Sequence, residues 1–283
     1  MDAVLRARLH ISEESAVRLN LIRMGMNSID AASRTFLGKP FFALRESDAL
    51  LDHLTGMTST KLLRDILCMN GGTGITAHGL ENVPAKGRVV IASTHPTGMF
   101  DFVAHAGALA QLRPDLKVVA NREAERFLGP DSIVAVDIDK ENRAMSATAT
   151  FTAMREHLEQ EGALLIFGAG RVPYRKDGQL VEPEWRSGTS RVSQICRAPI
   201  IPAGLNARNS SYYYRTRRLA QFLSGGNEHV GAMIGSLRYT AELLEKLGGQ
   251  FDVHYGAQLR PGSEPQTLKA TAEGLVPGLY SPS

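Results

Sequence analysis

The chain has 283 residues, of which 43% are hydrophobic and 22% are charged, and its formal net charge at pH 7 is +3. These proportions are those of an ordinary globular protein, so they argue against a disordered chain and against a protein with many membrane spans. A chain of this length can form one large domain with a sizeable core. The small positive charge does not indicate nucleic acid as a partner, and we expect none.

Two features of the sequence indicate the cellular compartment of the protein. Its two cysteines, Cys68 and Cys196, are too few for a disulfide framework and have no metal-site spacing, which favours a reducing environment. The first residues lack the apolar region of a signal peptide, and no stretch of about 18 apolar residues occurs. We therefore expect a cytoplasmic protein, peripheral on the inner face of the cell membrane.

The first part of the chain predicts helices. From about residue 13 to about residue 70, apolar residues recur at helical spacing, with breaks at 38–40 and at Gly56. We predict several helices and no strands in residues 1–74. We expect this region to pack on the core of the protein as an accessory element.

After residue 74 the pattern changes to short β-branched runs separated by helical stretches, which is typical of α/β proteins. The predicted strands are residues 88–92, 116–120, 133–136, 163–167 and 199–203. Helices are predicted between them, notably over 101–112 and 142–160. We therefore predict an α/β domain over 75–260 with a mixed, mostly parallel sheet flanked by helices. The residues from 261 to 283 are rich in Pro, Gly and Ser and are predicted to be a loose C-terminal extension.

A strand-turn-helix corner carries the candidate chemistry. Its residues are Ser93-Thr94-His95-Pro96-Thr97-Gly98-Met99-Phe100-Asp101. A corner at the C-terminal end of a strand is where α/β sheets bind ligands, and the helix that follows offers free N–H groups to a negative charge. Pro96 and Gly98 favour a turn that brings His95 within reach of Asp101. A carboxylate bonded to one ring nitrogen fixes the tautomer, so the other nitrogen can take a proton from an attacking hydroxyl or amine.

Taken alone, this pair has a simpler interpretation, in which Asp101 is a charge at a helix N-terminus and His95 is a loop residue. The surrounding sequence favours the catalytic interpretation. The corner resembles the first signature of the lysophospholipid and glycerolipid acyltransferase family, in its hemolysin-like bacterial branch, where five residues separate the His from the Asp, as they do here. Thr94 stands where that branch usually has Asn, and Gly168 where it usually has Pro.

Further blocks of the chain resemble the same branch, in the same order. They are Leu116-Lys117-Val118-Val119-Ala120-Asn121, Ala163-Leu164-Leu165-Ile166-Phe167-Gly168-Ala169-Gly170-Arg171-Val172, Glu184-Trp185-Arg186-Ser187-Gly188, Ala198-Pro199-Ile200-Ile201-Pro202 and Ala207-Arg208-Asn209-Ser210. Together they span roughly residues 75 to 260. The resemblance implies transfer of a fatty acyl group from acyl-ACP or acyl-CoA to a lysophospholipid, a lyso-aminolipid or a related amphiphile. It implies no cofactor beyond the thioester co-substrate.

The resemblance also implies roles for single residues. His95 is the general base and Asp101 is its orienting partner, with nearby backbone N–H groups for the oxyanion. Substrate contacts are expected from Thr97, Gly98, Phe100, Gly168, Gly170 and Arg171. Met99, Phe100 and Phe102 are expected to line an apolar groove for the acyl chain. The acceptor group, hydroxyl or amine, stays open.

Several of these residues have alternative interpretations. Arg171 follows a Gly-rich turn and suits a phosphate or carboxylate of the acceptor, but it is also typical of a surface Arg. Gly168 and Gly170 also suit a tight backbone turn. Residues 212–223 mix aromatic, basic and apolar side chains, which favours a membrane surface, with nucleic acid or a solvated helix face as the alternatives.

Two rival functions follow from the same residues. His105 lies four residues after Asp101, so a helix would place the two on one face and permit a metal site of His95, Asp101 and His105 in a metal-dependent hydrolase. The other rival is a lipid-binding module with weak catalysis. A chelator distinguishes the first from an acyltransferase, and an acyl-transfer assay of His95→Ala distinguishes the second.

Overall fold

The computed structural model describes residues 1–9, 11–136 and 143–280, with the backbone alone for 143–146. Its contacts divide the chain into two compact units. We call Met1–Met57 with Asn209–Lys246 the helical unit, and Thr58–Arg208 with Leu247–Ser283 the sheet unit. This division differs from the predicted segments, because residues 209–246, which lie between two strands of the sheet in sequence, belong with the N-terminal helices.

The helices and strands are given in chain order. The helices of the described residues are α1 (Asp2–Leu9), α2 (Ala16–Leu37), α3 (Leu44–Leu54), α4 (Ser59–Cys68), α5 (Met99–Leu109), α6 (Glu125–Leu128), α7 (Arg143–Glu159), α8 (Gly188–Cys196), α9 (Ser211–Leu223), α10 (Glu228–Ser236), α11 (Tyr239–Lys246) and α12 (Pro265–Gly274). The strands are β1 (Gly74–His78), β2 (Val89–Ser93), β3 (Lys117–Asn121), β4 (Ile133–Val136), β5 (Ala163–Phe167), β6 (Tyr174–Lys176), β7 (Gln179–Val181), β8 (Ile200–Leu205) and β9 (Gln250–Tyr255).

The helical unit contains α1 to α3 and α9 to α11. One side of α2 is apolar, and its Leu19 and Met26 are buried in a core with Leu5, Leu44 and Leu237. The helices predicted in the first part of the chain are therefore confirmed. In the part of the chain that the structure describes, none of the helices combines the length and the apolar character needed to cross a membrane.

The sheet unit contains a seven-stranded sheet in the order β1-β9-β8-β2-β5-β3-β4. Every neighbouring pair is parallel except β8 and β9, which are antiparallel. Each of the predicted strands corresponds to one of these strands to within two residues at either end. The predicted mixed, mostly parallel α/β sheet is thus confirmed. The predicted helices over 101–112 and 142–160 correspond to α5 and α7, and residue 142 lies outside the described residues.

Helices cover both faces of the sheet. Side chains alternate along β2, so Val90 and Ala92 point to one face and Ser93 to the other. Val90 and Ala92 lie in a core that includes Leu268 and Ala272 of α12, both fully buried. The predicted loose C-terminal extension is therefore wrong over α12. Small apolar residues at helical spacing let Pro265–Gly274 pack on the sheet despite the Pro and Gly around it.

Four strands were not predicted. Strands β1 and β9 pair with each other at one side of the sheet. Polar and apolar residues alternate strictly along Gln250–Tyr255, which is the pattern of a half-buried strand, so β9 was predictable from the sequence. Strands β6 and β7 form a separate two-stranded hairpin. Its turn contains Asp177 and Gly178, both with positive φ (48° and 89°). An Asp-Gly pair is a strong hairpin signal, so this hairpin was predictable from the sequence.

One row of residues crosses the C-terminal end of β2. Ser93 pairs with Phe167 of β5 on one side and with Ala203 of β8 on the other, and Ala203 pairs with Tyr255 of β9. Directly paired residues point to the same face of a sheet. The four side chains therefore lie side by side on one face of the sheet, next to the corner at which β2 leads into α5.

Candidate active site

The corner between β2 and α5 depends on Gly98. This residue has φ 93° and ψ −112°, a conformation that residues with a Cβ rarely adopt. It lets the chain reverse, so α5 begins at Met99 and Asp101 falls in its first turn. Asp101 N–H donates to the Gly98 carbonyl at 3.3 Å. The predicted turn is confirmed.

Asp101 is a fully buried carboxylate. The Thr97 N–H donates to both of its oxygens, at 3.1 and 3.0 Å, and the Gly98 N–H donates to Oδ2 at 3.0 Å. The Thr97 hydroxyl also donates to Oδ1. A buried charge is costly unless hydrogen bonds and ion pairs compensate it. These donors fix the carboxylate in one orientation, toward His95.

His95 lies directly beside that carboxylate. Its Nδ1 is 2.8 Å from Oδ2 of Asp101, although the angle is not that of an aligned hydrogen bond. Catalytic hydrogen bonds are often misaligned before substrate binds. The ring stacks on Phe167 with 4.1 Å between centroids, and the side chain keeps 17% exposure. The predicted proximity of His95 and Asp101 is confirmed, and Nδ1 is buried against the carboxylate while part of the side chain stays exposed.

His105 is held in another way. Its Nε2 is 2.9 Å from Ser93 Oγ, and its Nδ1 is 3.2 Å from the Tyr255 hydroxyl. Burial lowers the pKa of His105 to about 4. Among the described residues, no group of three or more His, Cys, Asp or Glu side chains is arranged to hold a metal ion. The predicted alternative of a metal site at His95, Asp101 and His105 is wrong, because hydroxyl groups hold both nitrogens of His105.

The residues of the first block that were predicted to contact substrate, Thr97, Gly98 and Phe100, also have structural contacts of their own. Phe100 is 1% exposed and packs against Phe251 with 4.6 Å between ring centroids, and Phe102 is also buried. Both rings belong to the core, whereas Met99 is half-buried, and an acyl groove lined by these three residues stays a prediction. Thr97 and Gly98 hold Asp101, and their contact with a substrate stays a prediction.

The three residues predicted from the third block, Gly168, Gly170 and Arg171, have different roles in the turn after β5. A Cβ on Gly168 would lie 2.0 Å from the Trp185 ring, so this glycine is required for packing. Gly170 has φ 62°, and its N–H donates to the Phe167 carbonyl at 2.9 Å. Arg171 is exposed and makes no ion pair with a described residue. Of these three, Arg171 alone has a side chain that can reach a ligand, and that side chain is exposed at the turn.

Three residues near this site, Arg186, Glu182 and Tyr255, were not predicted from the sequence. Arg186, whose N–H donates to the Gly168 carbonyl at 3.0 Å, is exposed beside the same turn. Glu182 is buried and accepts from the Trp185 indole N–H at 3.1 Å. Burial raises the pKa of the Glu182 carboxyl to about 8. Tyr255 lies on β9, which was not predicted as a strand, although the strict alternation of polar and apolar residues along Gln250–Tyr255 is a sequence signal for one.

Comparison with known proteins places the chain in a family. A profile of the family described as Acyltransferase matches residues 54–273, which is most of the chain. The chain belongs to this acyltransferase family, and the family predicted from its motifs is confirmed.

Individual relatives are distant. A lyso-glycine lipid O-acyltransferase of Phocaeicola vulgatus is 24% identical over 147 residues, which is 51% of each chain. One from Bacteroides thetaiotaomicron is 23% identical over 184 residues, which is 64% of each chain. The chain thus spans about half to just under two thirds of these relatives. A solved structure, the 1-acyl-sn-glycerophosphate acyltransferase PlsC of Thermotoga maritima, aligns over 92% of this chain and 95% of that chain, with 11% identity and a TM-score of 0.42.

Proposed function

We propose that this acyltransferase moves a fatty acyl group from a thioester of coenzyme A or acyl carrier protein to the hydroxyl of a lyso-lipid. The observation that carries the proposal is the 2.8 Å contact between His95 Nδ1 and the buried Asp101 carboxylate. A base for an acceptor hydroxyl needs one ring nitrogen held by a carboxylate and the other open. His95 meets both conditions.

The reaction proceeds by direct attack. Nδ1–H donates a hydrogen bond to Asp101, so Nε2 is unprotonated and takes the proton of the acceptor hydroxyl as its oxygen attacks the thioester carbonyl. The tetrahedral intermediate carries an oxyanion, for which the first-turn N–H groups of α5, at Met99 and Phe100, have no intrahelical partner. The carbon–sulfur bond then breaks, and the thiolate takes the proton from His95. No acyl-enzyme forms, and no cofactor takes part.

Support for the acceptor is of two kinds. The curated relatives are O-acyltransferases for a lyso-glycine lipid, which favours a hydroxyl over an amine as the group acylated here. Arg171 and Arg186 are exposed beside the turn that follows Phe167, the ring on which His95 stacks. Guanidinium groups suit a carboxylate or phosphate, so the acceptor we propose carries an anionic headgroup.

Product analysis tests this assignment. The purified chain is incubated with one acyl thioester and with lyso-lipids that carry a carboxylate, a phosphate or no charge, and the lipids are identified by mass spectrometry. We expect a product heavier by one acyl group and formed on oxygen, with the two anionic acceptors preferred. An N-acyl product, or transfer to the uncharged acceptor alone, contradicts the proposed acceptor.

The role of Arg171 has its own prediction. Arg171→Ala should raise the KM for the anionic acceptor by roughly 10-fold, about the contribution of one charge-assisted hydrogen bond, and leave kcat and the thioester KM unchanged. Steady-state kinetics with each substrate varied in turn measure this. Arg175→Ala, at an exposed arginine of the neighbouring hairpin, is the matched control. An effect confined to the thioester KM places Arg171 at the donor instead.

We also propose that the protein binds the cytoplasmic side of the cell membrane through part of α9. Tyr213, Tyr214 and Arg217 are buried, so only part of the predicted segment is available. The exposed part, here called the α9 surface, is Arg215, Arg218, Leu219, Phe222 and Leu223. Apolar side chains beside basic ones are the combination that binds an anionic bilayer surface.

Vesicle binding tests the α9 surface. Replacing Arg215 and Arg218 by alanine should weaken binding to vesicles that contain phosphatidylglycerol by roughly 10-fold or more, since each basic residue contributes about 1 kcal/mol near such a surface. Phe222→Ser should weaken it at any lipid charge. Ile195→Ser, at an exposed apolar residue of α8, should leave binding unchanged. Wild-type binding to neutral and anionic vesicles in equal measure contradicts the charge argument.

A further inference from the structure

A second histidine, His105, is hydrogen-bonded to Ser93, two residues before the proposed base His95. Ser93, Ala203 and Tyr255 pair in register across three neighbouring strands, so their side chains share one face of the sheet. His105 of α5 bonds to Ser93 on one side of Ala203 and to Tyr255 on the other. The small Ala203 side chain leaves room for the imidazole between the two hydroxyl groups.

The hydrogen bonds around this ring assign its protons. The Ser93 hydroxyl donates to the Thr94 carbonyl at 3.0 Å, so its oxygen is the acceptor in the 2.9 Å contact with His105 Nε2. Nε2 therefore carries the proton. Nδ1 is then unprotonated in a neutral ring and accepts from the Tyr255 hydroxyl at 3.2 Å. Every donor in this series points the same way, from Tyr255 to the Thr94 carbonyl.

The surroundings keep the ring neutral. His105 is fully buried, the Tyr255 hydroxyl bonds to it, and the charged groups that act on its pKa are Asp101 and His95. Burial is the larger influence and lowers its pKa to about 4, so the ring carries one proton at neutral pH.

We propose that His105 is a positioning residue, which holds the backbone before His95 through Ser93 and the Thr94 carbonyl. The Thr94 N–H donates to the Ala203 carbonyl at 3.2 Å, so both backbone groups of Thr94 are held. His95 is the next residue, and the direction of its side chain depends on that peptide. The inference rests on the proposed function for its kinetic consequence, but the proton arrangement stands without it.

Nitrogen NMR of the histidine rings tests the proton arrangement directly. In uniformly ¹⁵N-labelled full-length protein at neutral pH, we expect the His105 ring to carry a proton on Nε2 and none on Nδ1. Its signals are assigned by their loss in His105→Gln. A ring protonated on Nδ1, or on both nitrogens, overturns the proposal. This result needs no turnover, so failure of acyl transfer by the wild type contradicts the proposed function separately.

Kinetics test the positioning role. A glutamine amide can reach Ser93 Oγ in place of Nε2, whereas the shorter asparagine side chain cannot. We expect His105→Asn to lower kcat about three- to tenfold, the contribution of one hydrogen bond, with both KM values unchanged, and His105→Gln to restore most of the loss.

A further variant keeps this test decisive if His105→Asn does not fold. Ser93→Ala removes only the hydroxyl between the ring and the Thr94 carbonyl, so it should give a similar loss of kcat. Equal losses in the Gln and Asn variants, or a wild-type kcat in Ser93→Ala, overturn the positioning role.

Discussion

Replacing His95 with alanine is expected to lower kcat by roughly 10²- to 10⁴-fold, the usual contribution of a positioned acid–base group. The side chain keeps 17% exposure, and its contacts with Phe167 and Asp101 leave the bonds from Thr97 and Gly98 to the Asp101 carboxylate in place when it is removed, so the fold should persist. Rates of acyl transfer and thermal unfolding of the same preparations measure both effects. The loss should appear in kcat for every acyl donor, since the base acts on the acceptor.

A matched histidine shows whether the effect is specific. His229 is exposed at the start of α10 in the helical unit, and His229→Ala should keep wild-type kinetics. If His95→Ala and wild type transfer the acyl group equally fast, His95 is not the base. Recovery of the alanine variant by added imidazole would support the assignment further, because free imidazole can take the same proton.

The second large effect is expected for Asp101→Asn. The carboxylate accepts from Thr97 and Gly98 and lies 2.8 Å from His95, whereas an amide has a single acceptor oxygen. His95 then loses both its orientation and the charge that stabilises its protonated form. We expect kcat to fall roughly 10²-fold. The free energy of unfolding should fall by about 2 kcal/mol, because bonds to a buried charge are lost.

A double variant separates these two consequences. If Asp101 acts through His95, then His95→Ala with Asp101→Asn should be no slower than His95→Ala alone, because residues that act as a unit are not additive. Chemical denaturation measures the change in the free energy of unfolding independently of the kinetics. Fully multiplicative losses of kcat would show that Asp101 contributes to the reaction apart from His95.

The sequence predicted the parts of the site that are local. His95 and Asp101 lie within one turn, and the residues between them, above all Gly98, decide how the chain reverses. The buried strands were predictable for a similar reason. Runs such as Ala163–Phe167 are apolar on both faces because helices cover both sides of the sheet.

The other parts of the site depend on contacts between residues that are far apart in the sequence. His105 and Tyr255 are 150 residues apart, and they meet only because β8 and β9 pair in a particular register. The ring of Phe100 packs against Phe251 of β9, and the sequence does not show that these two distant residues meet. From the sequence alone, His105 therefore appeared only in the alternative of a metal site, and Phe100 was predicted to line the acyl groove.

The most direct test of the central claim is release of free thiol from an acyl thioester, measured with and without a lyso-lipid acceptor. Direct attack by the acceptor predicts release only when the lyso-lipid is present, in equal amount to the acylated lipid, and its near-complete loss in His95→Ala. Release of thiol by the wild type without acceptor, or undiminished release in His95→Ala, would contradict an acyl transfer driven by His95 as the base.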